Sequence, residues 1–337
     1  MADNETGITV IGTGAWGANH VRVWRDLGVL RAIADVDAER LSRLSEEAPE
    51  ATTYADWSEA IRRPDVQGVV VATPAVTHAE IALQCLEAGK DVLVEKPLAI
   101  SVADAEKLVD VAETSNSILM VGHVLEYHPA VLALRELISE GQIGKVLYLY
   151  SNRLNFGRLR TEENALWSFA PHDIALLLRL VGSLPVTVSA RGGEYLSEGV
   201  ADVTLMSLEF PGLVQAHVFV SWLHPFKEQR FVVVGDRQMA VFDDSARWDE
   251  KLLLYPHQVD WLNGKIPVAR KAEATAVALR ECEPLIEECN AFLQSMQSRE
   301  APLTDGMSGV RVLRVLDAGQ RSLDRKGAPI GLNGEGR

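Results

Sequence analysis

The chain has 337 residues, which is more than one ordinary domain needs and suits two domains. Its net charge of −14 offers no broad basic surface, so the sequence predicts no nucleic-acid partner and no anionic membrane partner. The polar start and the short apolar runs predict neither a secretory signal nor a membrane span. The three cysteines match no zinc pattern, so we expect a cytoplasmic protein without a metal site.

Residues 1–122 alternate apolar runs with helical patterns. The runs "GITVIGTG", "DVQGVVVATP" and "DVLVEKP" lack the polar alternation of a half-exposed strand, and patterns such as "AERLSRLSEEA" separate them. Buried strands joined by helices are typical of a parallel sheet that is covered on both faces. The sequence therefore predicts an α/β fold with a first domain over residues 1–122.

A different pattern follows over residues 123–337. The helical patterns "HPAVLALRELISEG" and "APHDIALLLRLVG" precede short strands such as "ADVTLMSLEF" and "LVQAHVFVSW". Short strands with Gly, Asp and Pro between them predict a second α/β domain with a large, mostly antiparallel open sheet. Some of these strands carry apolar residues on both faces, which predicts a homodimer or homotetramer through this sheet.

Three glycines, Gly12, Gly14 and Gly17, lie between the first strand and the first helix, in "VIGTGAWGANH". In a βαβ unit such a triplet permits a tight turn, lets a pyrophosphate approach the backbone and lets helix and strand pack closely. The helix N-terminus then offers free N–H groups to the phosphates. A Gly-rich turn without a ligand is the alternative, but the strand–helix context predicts a dinucleotide-binding Rossmann domain.

Asp35 ends the second strand, 18 residues after Gly17. A carboxylate there can accept hydrogen bonds from both ribose hydroxyls and would repel a 2′-phosphate. The alternative is an acid in a solvated turn. The combined signal predicts NAD as the cofactor in preference to NADP.

The stretch "VVVATPAVTHAEIALQCLEAGKDVLVEKPLA" completes an ordered set of motifs that resembles the Gfo/Idh/MocA oxidoreductase family. The resemblance covers most of the chain and implies a Rossmann domain followed by an α/β domain with an open sheet. It also implies hydride transfer between a nicotinamide and a sugar-like hydroxyl, the reaction of an NAD-dependent dehydrogenase acting on CH–OH. The cofactor contacts that it implies, besides the three glycines and Asp35, are Ala15, Trp16, Thr73, Pro74, His78, Glu95 and Lys96.

Lys96 ends a strand of the predicted parallel sheet, at the carboxyl edge where ligands bind. An ammonium group beside a substrate hydroxyl stabilises the alkoxide that develops as hydride leaves the carbon. A surface lysine paired with Glu95 is the alternative from the residues alone. The family resemblance favours Lys96 as a catalytic residue.

His172, in "LWSFAPHDIALLLRLVG", matches a family histidine that commonly follows an acid by four residues. Here Ser168 occupies the acid position, and Asp173, about 100° round the helix, is no simple replacement. Histidine exchanges protons near neutral pH, although a lone histidine at a helix start is more often a capping or core residue. The resemblance favours His172 as the catalytic base, while what orients it stays open. His123, after the last strand of the first domain, is the second candidate for proton transfer.

The stretch before that helix, "SNRLNFGRLRTEENALW", is the predicted substrate-binding segment. Guanidinium groups suit a phosphate or carboxylate, although a solvated strand edge is the alternative. This stretch resembles that of family members that oxidise C3 of nucleotide-linked N-acetylated hexosamines or their uronic acids. For those members, a partner aminotransferase then installs a 3-amino group on the product. The predicted substrate contacts are Arg153, Asn155, Arg158, Arg160, Trp167 and His172.

With the NAD site predicted from the residues, the resemblance implies oxidation of a UDP-N-acetylhexosamine or its uronate at C3, in a route to lipopolysaccharide or lipid A. A dehydrogenase of a free sugar or inositol is the alternative enzyme. A non-catalytic NAD-binding regulator is the alternative of another class, which the presence of Lys96 and His172 disfavours. The exact sugar, the direction of the reaction and the choice between dimer and tetramer are left open.

Overall fold

The computed structural model describes residues 6–157 and 159–332. The helices are α1 (Gly17–Asp26), α2 (Ala38–Glu47), α3 (Trp57–Ile61), α4 (His78–Glu87), α5 (Val102–Ser115), α6 (Pro129–Ser139), α7 (Ala165–Val181), α8 (Pro284–Ser298) and α9 (Gly306–Asp324). The strands are β1 (Ile8–Ile11), β2 (Leu30–Ala34), β3 (Thr52–Tyr54), β4 (Gly68–Val71), β5 (Asp91–Glu95), β6 (Leu119–Gly122), β7 (Val146–Leu154), β8 (Thr187–Gly193), β9 (Val203–Glu209), β10 (Gln215–Ser221), β11 (Glu228–Gly235), β12 (Met239–Asp243), β13 (Leu252–Tyr255), β14 (Gln258–Leu262), β15 (Ile266–Arg270), β16 (Thr275–Ala276) and β17 (Ile330–Gly331).

Among the described residues, six strands form a parallel sheet in the order β3-β2-β1-β4-β5-β6. The side chains of β1, β4, β5 and β6 are buried throughout, as strands covered on both faces require. This strand order reverses next to β1 and is that of the doubly wound dinucleotide-binding fold, in which ligands bind at the carboxyl edge. The prediction of a parallel Rossmann sheet is confirmed.

The chain divides into two compact units, and the first combines the N-terminal part of the chain with a segment from near the C-terminus. It runs to Tyr127 and also includes Glu283–Leu313. The predicted boundary at residue 122 assigns α8 to the second domain, whereas in the structure Phe292 of α8 packs edge-to-face on Trp24 of α1, with ring centroids 6.2 Å apart. An amphipathic pattern shows which helix face is apolar, but it does not show which core that face joins.

The second unit comprises His128–Cys282 and the chain from Arg314 onward. In the part of it that the structure describes, nine strands form a sheet in the order β16-β13-β12-β11-β7-β10-β9-β8-β17. The pairing of β7 with β10 is parallel and the other pairings are antiparallel. The predicted large, mostly antiparallel sheet is therefore confirmed.

One face of this sheet packs against α7, with Leu149 and Ser151 of β7 buried on it. The opposite face carries partly exposed side chains that we call the aromatic patch. Within it, His217 lies parallel to the ring of Tyr150, with centroids 5.1 Å apart, and its Nδ1 is 2.5 Å from the hydroxyl of Tyr148. The patch consists of Tyr148, Tyr150, Leu205, His217 and Phe219.

Strands β14 and β15 pair as a separate antiparallel hairpin, and their residues are exposed throughout. This hairpin was not among the strands predicted from the sequence. Within residues 6–157 and 159–332, none of the helices has the length and apolar character that crossing a bilayer requires.

Candidate active site

The glycine-rich turn joins β1 to α1. Gly12 has a φ of 86°, and a Cβ on it would lie 2.7 Å from the backbone nitrogen of Thr73. A Cβ on Gly17 would lie 1.9 Å from the carbonyl oxygen of Gly12, so helix and turn approach too closely for any side chain. A Cβ on Gly14 would meet no atom within 4 Å. Gly12 and Gly17 are thus required by the fold, whereas Gly14 leaves the open approach that a cofactor phosphate needs.

Asp35 follows β2 and braces the glycine-rich turn. Its Oδ2 accepts hydrogen bonds of 2.6 Å from both the backbone N–H and the hydroxyl of Thr13, and its Oδ1 accepts one from the N–H of Asp37. Burial raises the pKa of the Asp35 carboxyl, but these hydrogen bonds and nearby Arg40 outweigh burial and leave the pKa below its usual value. Asp35 is therefore an anion at the edge where the ribose of a dinucleotide binds.

Arg40 is a residue that the sequence analysis missed at this edge. Its Nη1 lies 3.8 Å from Oδ2 of Asp35, and its Nε lies 3.2 Å from Oδ2 of Asp37. The signal was present in the sequence, because Arg40 follows Asp37 by three residues at the start of α2. A guanidinium at this place can accommodate a 2′-phosphate if the neighbouring acids are removed.

His78 ties the turn after β4 to the turn after β5. Its Nε2 lies 2.8 Å from the carbonyl oxygen of Thr73, and its Nδ1 lies 2.8 Å from the carbonyl oxygen of Pro97. The ring is buried, while Pro74 is exposed. His78 therefore supports the predicted cofactor contacts of Thr73 and Pro74 from beneath.

Glu95, at the end of β5, accepts hydrogen bonds from three residues of this edge. Its Oε1 accepts hydrogen bonds from the Trp16 indole and from Nε2 of His20, the latter at 2.8 Å, and its Oε2 accepts from the backbone N–H of Lys96 at 3.2 Å. Burial favours a raised pKa, but the hydrogen bond from His20, the charge of Lys96 and the hydrogen bond from Trp16 outweigh it and hold the pKa of Glu95 below its usual value. Trp16, Glu95 and Lys96, which were predicted as cofactor contacts, thus form one connected group.

Lys96 is half-buried directly after β5, and its peptide bond to Pro97 is cis. His123 is buried directly after the neighbouring strand β6. Both residues therefore lie at the carboxyl edge of the parallel sheet, where the fold binds its ligands. Ala15 is exposed in the turn before α1, as a cofactor contact requires.

His172 is half-buried in the second turn of α7, and its neighbour Asp173 is buried. Asp173 accepts hydrogen bonds from the hydroxyl of Ser151 at 2.5 Å and from Nε and Nη2 of Arg153 at 2.7 and 3.1 Å. Burial disfavours the charged guanidinium, but Asp173 outweighs it and raises the pKa of Arg153. A buried ion pair therefore anchors Asp173, the residue that directly follows His172.

This arrangement bears on the predicted substrate contacts. The Arg153 guanidinium is occupied by Asp173, so its contacts favour a positioning role over the predicted diphosphate contact. Arg160 forms an ion pair of 2.6 Å with Glu163, with which a phosphate would have to compete. Arg158 lies outside the described residues.

The other two predicted substrate contacts differ in their surroundings. The indole of Trp167 donates to the side-chain oxygen of Gln320 on α9 at 3.1 Å, and the same oxygen accepts from Asn164, whose side chain also caps α7. Asn155 is half-buried directly after β7. Trp167 is thus held at the start of α7 by a residue more than 150 positions away in the sequence, which no local pattern indicates.

Comparison with known families gives two matches. The model described as "Oxidoreductase family, NAD-binding Rossmann fold" matches residues 6–123. The model of the Gfo/Idh/MocA C-terminal domain matches residues 131–241. The two models together cover well over half of the chain.

Three curated relatives illustrate the range of the similarity. The 2,7-anhydro-N-acetylneuraminate hydratase of Mediterraneibacter gnavus is 29% identical over 60% of this chain, which spans only 58% of that protein. The UDP-N-acetylglucosamine 3-dehydrogenase of Acidithiobacillus ferrooxidans is 27% identical, over 90% of this chain and 93% of that protein. The myo-inositol 2-dehydrogenase of Thermotoga maritima is also 27% identical, over 95% and 96%.

A solved structure of UDP-N-acetylglucosamine 3-dehydrogenase GnnA from Acidithiobacillus ferrooxidans has a TM-score of 0.83 and 25% identity to this chain, covering 95% of this chain and 97% of that one. The resemblance inferred from the glycines, Asp35 and Glu95-Lys96-Pro97 is therefore confirmed. This chain belongs to the Gfo/Idh/MocA oxidoreductase family, and its N-terminal part is the NAD-binding Rossmann domain of that family.

Proposed function

We propose that the protein is an NAD-dependent dehydrogenase that oxidises the 3-hydroxyl of a UDP-N-acetylhexosamine or its uronate to a ketone. When bound, NAD supplies the acceptor for the hydride that leaves C3. The hydroxyl proton passes to His172, and the ammonium group of Lys96 stabilises the negative charge that develops on the oxygen. Two electrons and two protons leave the alcohol, so the hydride and the released proton balance the reaction.

The observation that carries this proposal is the arrangement around Lys96. Its backbone N–H is held by Glu95, and the same carboxylate holds Trp16 of the glycine-rich turn. Glu95 therefore anchors both the glycine-rich turn, which receives the cofactor, and Lys96, the predicted catalytic residue. The open space at Gly14 fits the pyrophosphate of a dinucleotide. The substrate is proposed from the similarity to a UDP-N-acetylglucosamine 3-dehydrogenase over nine-tenths of the chain.

Substrate discrimination tests the proposal. UDP-N-acetylglucosamine, its uronate, unlinked N-acetylglucosamine and myo-inositol are each offered with NAD, and the absorbance of reduced nicotinamide is followed. We expect kcat/KM for a UDP-linked sugar to exceed that for the unlinked sugar by about tenfold or more for each charge-assisted diphosphate contact. Equal use of the unlinked sugar or of inositol would remove the nucleotide from the proposal and leave the dehydrogenase.

An inositol or free-sugar dehydrogenase is the second candidate function. Arg153 and Arg160 already form ion pairs with acidic side chains, so a diphosphate would have to compete with these acids. This observation favours a substrate without a diphosphate. The similarity to a myo-inositol 2-dehydrogenase, at the same identity as the nucleotide-sugar relative, supports it equally. A non-catalytic regulator would need neither Lys96 nor His172. The substrate panel separates all three outcomes, because a regulator reduces no NAD with any of them.

Cofactor preference gives a prediction for Asp35. We expect Asp35→Ser to lower the ratio of kcat/KM for NAD to that for NADP by roughly tenfold or more, because the variant removes an anion that repels the 2′-phosphate and releases Arg40 to bind it. The ratio is measured because loss of the Thr13 contacts affects both cofactors alike.

Two controls sharpen this measurement. Adding Arg40→Ala to Asp35→Ser should remove the gain in NADP use. Asp56→Ser, which changes the helix-capping acid at the start of α3, should leave the ratio unchanged. Equal use of NAD and NADP by the unmodified protein would contradict the role of Asp35.

We also propose that the protein forms a homodimer or homotetramer in which a second copy covers the aromatic patch. Leu205, 48% exposed, lies in the patch opposite Phe219 on the neighbouring strand. Light scattering at micromolar concentration is expected to show a dimer or tetramer, and Leu205→Glu should yield monomers, because the variant places a charge on an apolar interface. Leu132→Glu, at an exposed position of α6, is the matched control. A monomeric unmodified protein would contradict the proposal.

The chemistry of the product suggests a functional partner. A 3-keto sugar carries an electrophilic carbonyl, which an aminotransferase converts to a 3-amino group. We propose such an aminotransferase as the partner that consumes the product, in a route to lipopolysaccharide or lipid A. A coupled assay with an aminotransferase active on 3-keto nucleotide sugars would detect the amino sugar only if C3 is the oxidised carbon.

A further inference from the structure

Three buried side chains from distant parts of the chain meet within the first unit. They are His20 of α1, Glu95 at the end of β5 and Glu288 of α8. One nitrogen or carboxylate oxygen of each lies within 4.8 Å of the others, and both His20 and Glu288 are 0% exposed. The proposed reaction uses neither His20 nor Glu288.

The hydrogen bonds of this cluster involve one nitrogen of His20 and leave the other without a partner in the described part of the chain. Glu95 accepts from Trp16, from Nε2 of His20 and from the N–H of Lys96, so it acts as an ionised acceptor. A neutral His20 that donates from Nε2 carries a lone pair on Nδ1. Among the described residues, neither Nδ1 of His20 nor either oxygen of Glu288 has a hydrogen-bond partner. The cluster therefore contains a buried acceptor and, if Glu288 is protonated, a buried donor.

The charges around Glu288 decide its protonation. Glu95 faces it from β5, and Glu126, buried in the turn after β6, adds a second negative charge. His20 faces it from α1, the Cys289 thiol is its neighbour on α8, and Tyr127 lies within electrostatic range. Burial, followed by Glu95 and Glu126, raises the pKa of Glu288 well above its usual value. Two carboxylates this close to each other and to a neutral histidine do not both ionise in a low-dielectric interior.

We propose that Glu288 is a neutral carboxylic acid in the native protein and donates a hydrogen bond to Nδ1 of His20, directly or through one water molecule. The chain of donors then runs from Glu288 to His20 and from His20 to Glu95. Glu288 is thus a positioning residue that acts through His20, because this chain fixes the His20 tautomer that donates to Glu95. Helix α8, contributed by the C-terminal part of the chain, thereby helps to hold the Glu95 carboxylate that anchors Trp16 and Lys96.

The pH dependence of the unfolding free energy tests whether Glu288 is protonated in the native protein. The unfolded chain loses the Glu288 proton near pH 4.5, whereas the native state keeps it to higher pH, so stability is lost as the pH rises through that window. Relative to Glu288→Gln, which has no proton to lose, the unfolding equilibrium constant of the unmodified protein should rise about tenfold per pH unit. Glu300→Gln, an exposed acid just beyond α8, should leave the slope unchanged. The proposal would be overturned if the difference in unfolding free energy between the unmodified protein and Glu288→Gln stayed constant from about pH 5 to about pH 8.

Two measurements on the unmodified protein keep the test independent of how the variant folds. Infrared spectroscopy at neutral pH should show the C=O band of a protonated carboxylic acid, and ¹⁵N NMR should show the neutral Nε2–H tautomer of His20. Absence of the infrared band would overturn the proposal. Metal analysis that finds one divalent cation per chain would overturn it as well, since a cation would then neutralise Glu288.

The positioning role has its own readout. Glu288→Met removes the donor to His20, whereas Glu288→Gln retains an N–H donor of similar size. We expect Glu288→Met to raise the Kd for NAD roughly tenfold, the effect of losing one buried hydrogen bond, and Glu288→Gln to raise it less. An equal effect of both variants, with the His20 tautomer unchanged in each, would reduce Glu288 to a packing residue. None of these readouts uses a sugar substrate, so their failure is distinguishable from failure of the proposed function.

Discussion

Replacement of Lys96 by alanine should lower kcat by roughly 10²–10⁴-fold while NAD still binds. Lys96 lies at the carboxyl edge of the parallel sheet, and its ammonium group is proposed to stabilise charge that exists only as hydride leaves the substrate. The backbone N–H of residue 96, which Glu95 holds, is retained in the variant. A loss confined to the transition state lowers kcat and kcat/KM together and leaves cofactor affinity nearly unchanged.

The measurement combines steady-state kinetics with titration of NAD binding. Lys107→Ala, on the exposed side of α5, removes the same charge from the first unit and should have no effect on either quantity. Lys96→Arg retains the charge but places it differently, so it should recover little activity. Near-normal turnover of Lys96→Ala would show that Lys96 is a structural lysine. His123 would then be the next candidate for the catalytic group.

The sequence predicted most elements of the first unit because each of these leaves a local signal. The apolar runs of β1, β4 and β5 and the three glycines of the turn lie within short stretches of chain. The structure adds β3 and α3, which were not predicted. At three and five residues they are too short for a periodic pattern.

The side-chain partners of the site could not be predicted in the same way. Asp91 and Arg299 form an ion pair of 2.7 Å across 208 positions of sequence, and Glu288 reaches Glu95 from a similar distance along the chain. Arg153 was predicted as a substrate contact because its local sequence is basic, whereas its partner is decided by the packing of β7 against α7. Local patterns show the charge of a residue, and only the tertiary structure shows what neutralises it.

The largest stability effect is expected from the ion pair of Arg153 and Asp173, because both side chains are buried. Arg153→Met leaves Asp173 with the Ser151 hydroxyl and no counter-charge. Removing one partner of a buried pair costs about 3–5 kcal/mol of unfolding free energy, most of it from the stranded charge. Urea unfolding at neutral pH measures this loss.

The double variant Arg153→Met with Asp173→Leu removes both charges and should recover most of that stability, since apolar replacements of a buried pair are often neutral or stabilising. The exposed pair of Arg247 and Asp249 is the matched control, and its loss should leave the free energy of unfolding nearly unchanged. A diphosphate-binding Arg153 gives the opposite result: its loss would raise the KM for a UDP-sugar and leave stability nearly unchanged.

Activity separates a positioning role from a purely structural one. Asp173 follows His172 directly, and its bonds to Ser151 and Arg153 hold the middle of α7 against β7. If these bonds orient His172, the stable double variant should still show a kcat reduced by roughly tenfold or more, because misplacement of a catalytic group persists when the stranded charge is gone. The His172→Ala variant sets the lower limit of activity for that comparison. Full recovery of kcat together with stability would mean that the ion pair serves the fold alone, and that His172 is oriented by other contacts.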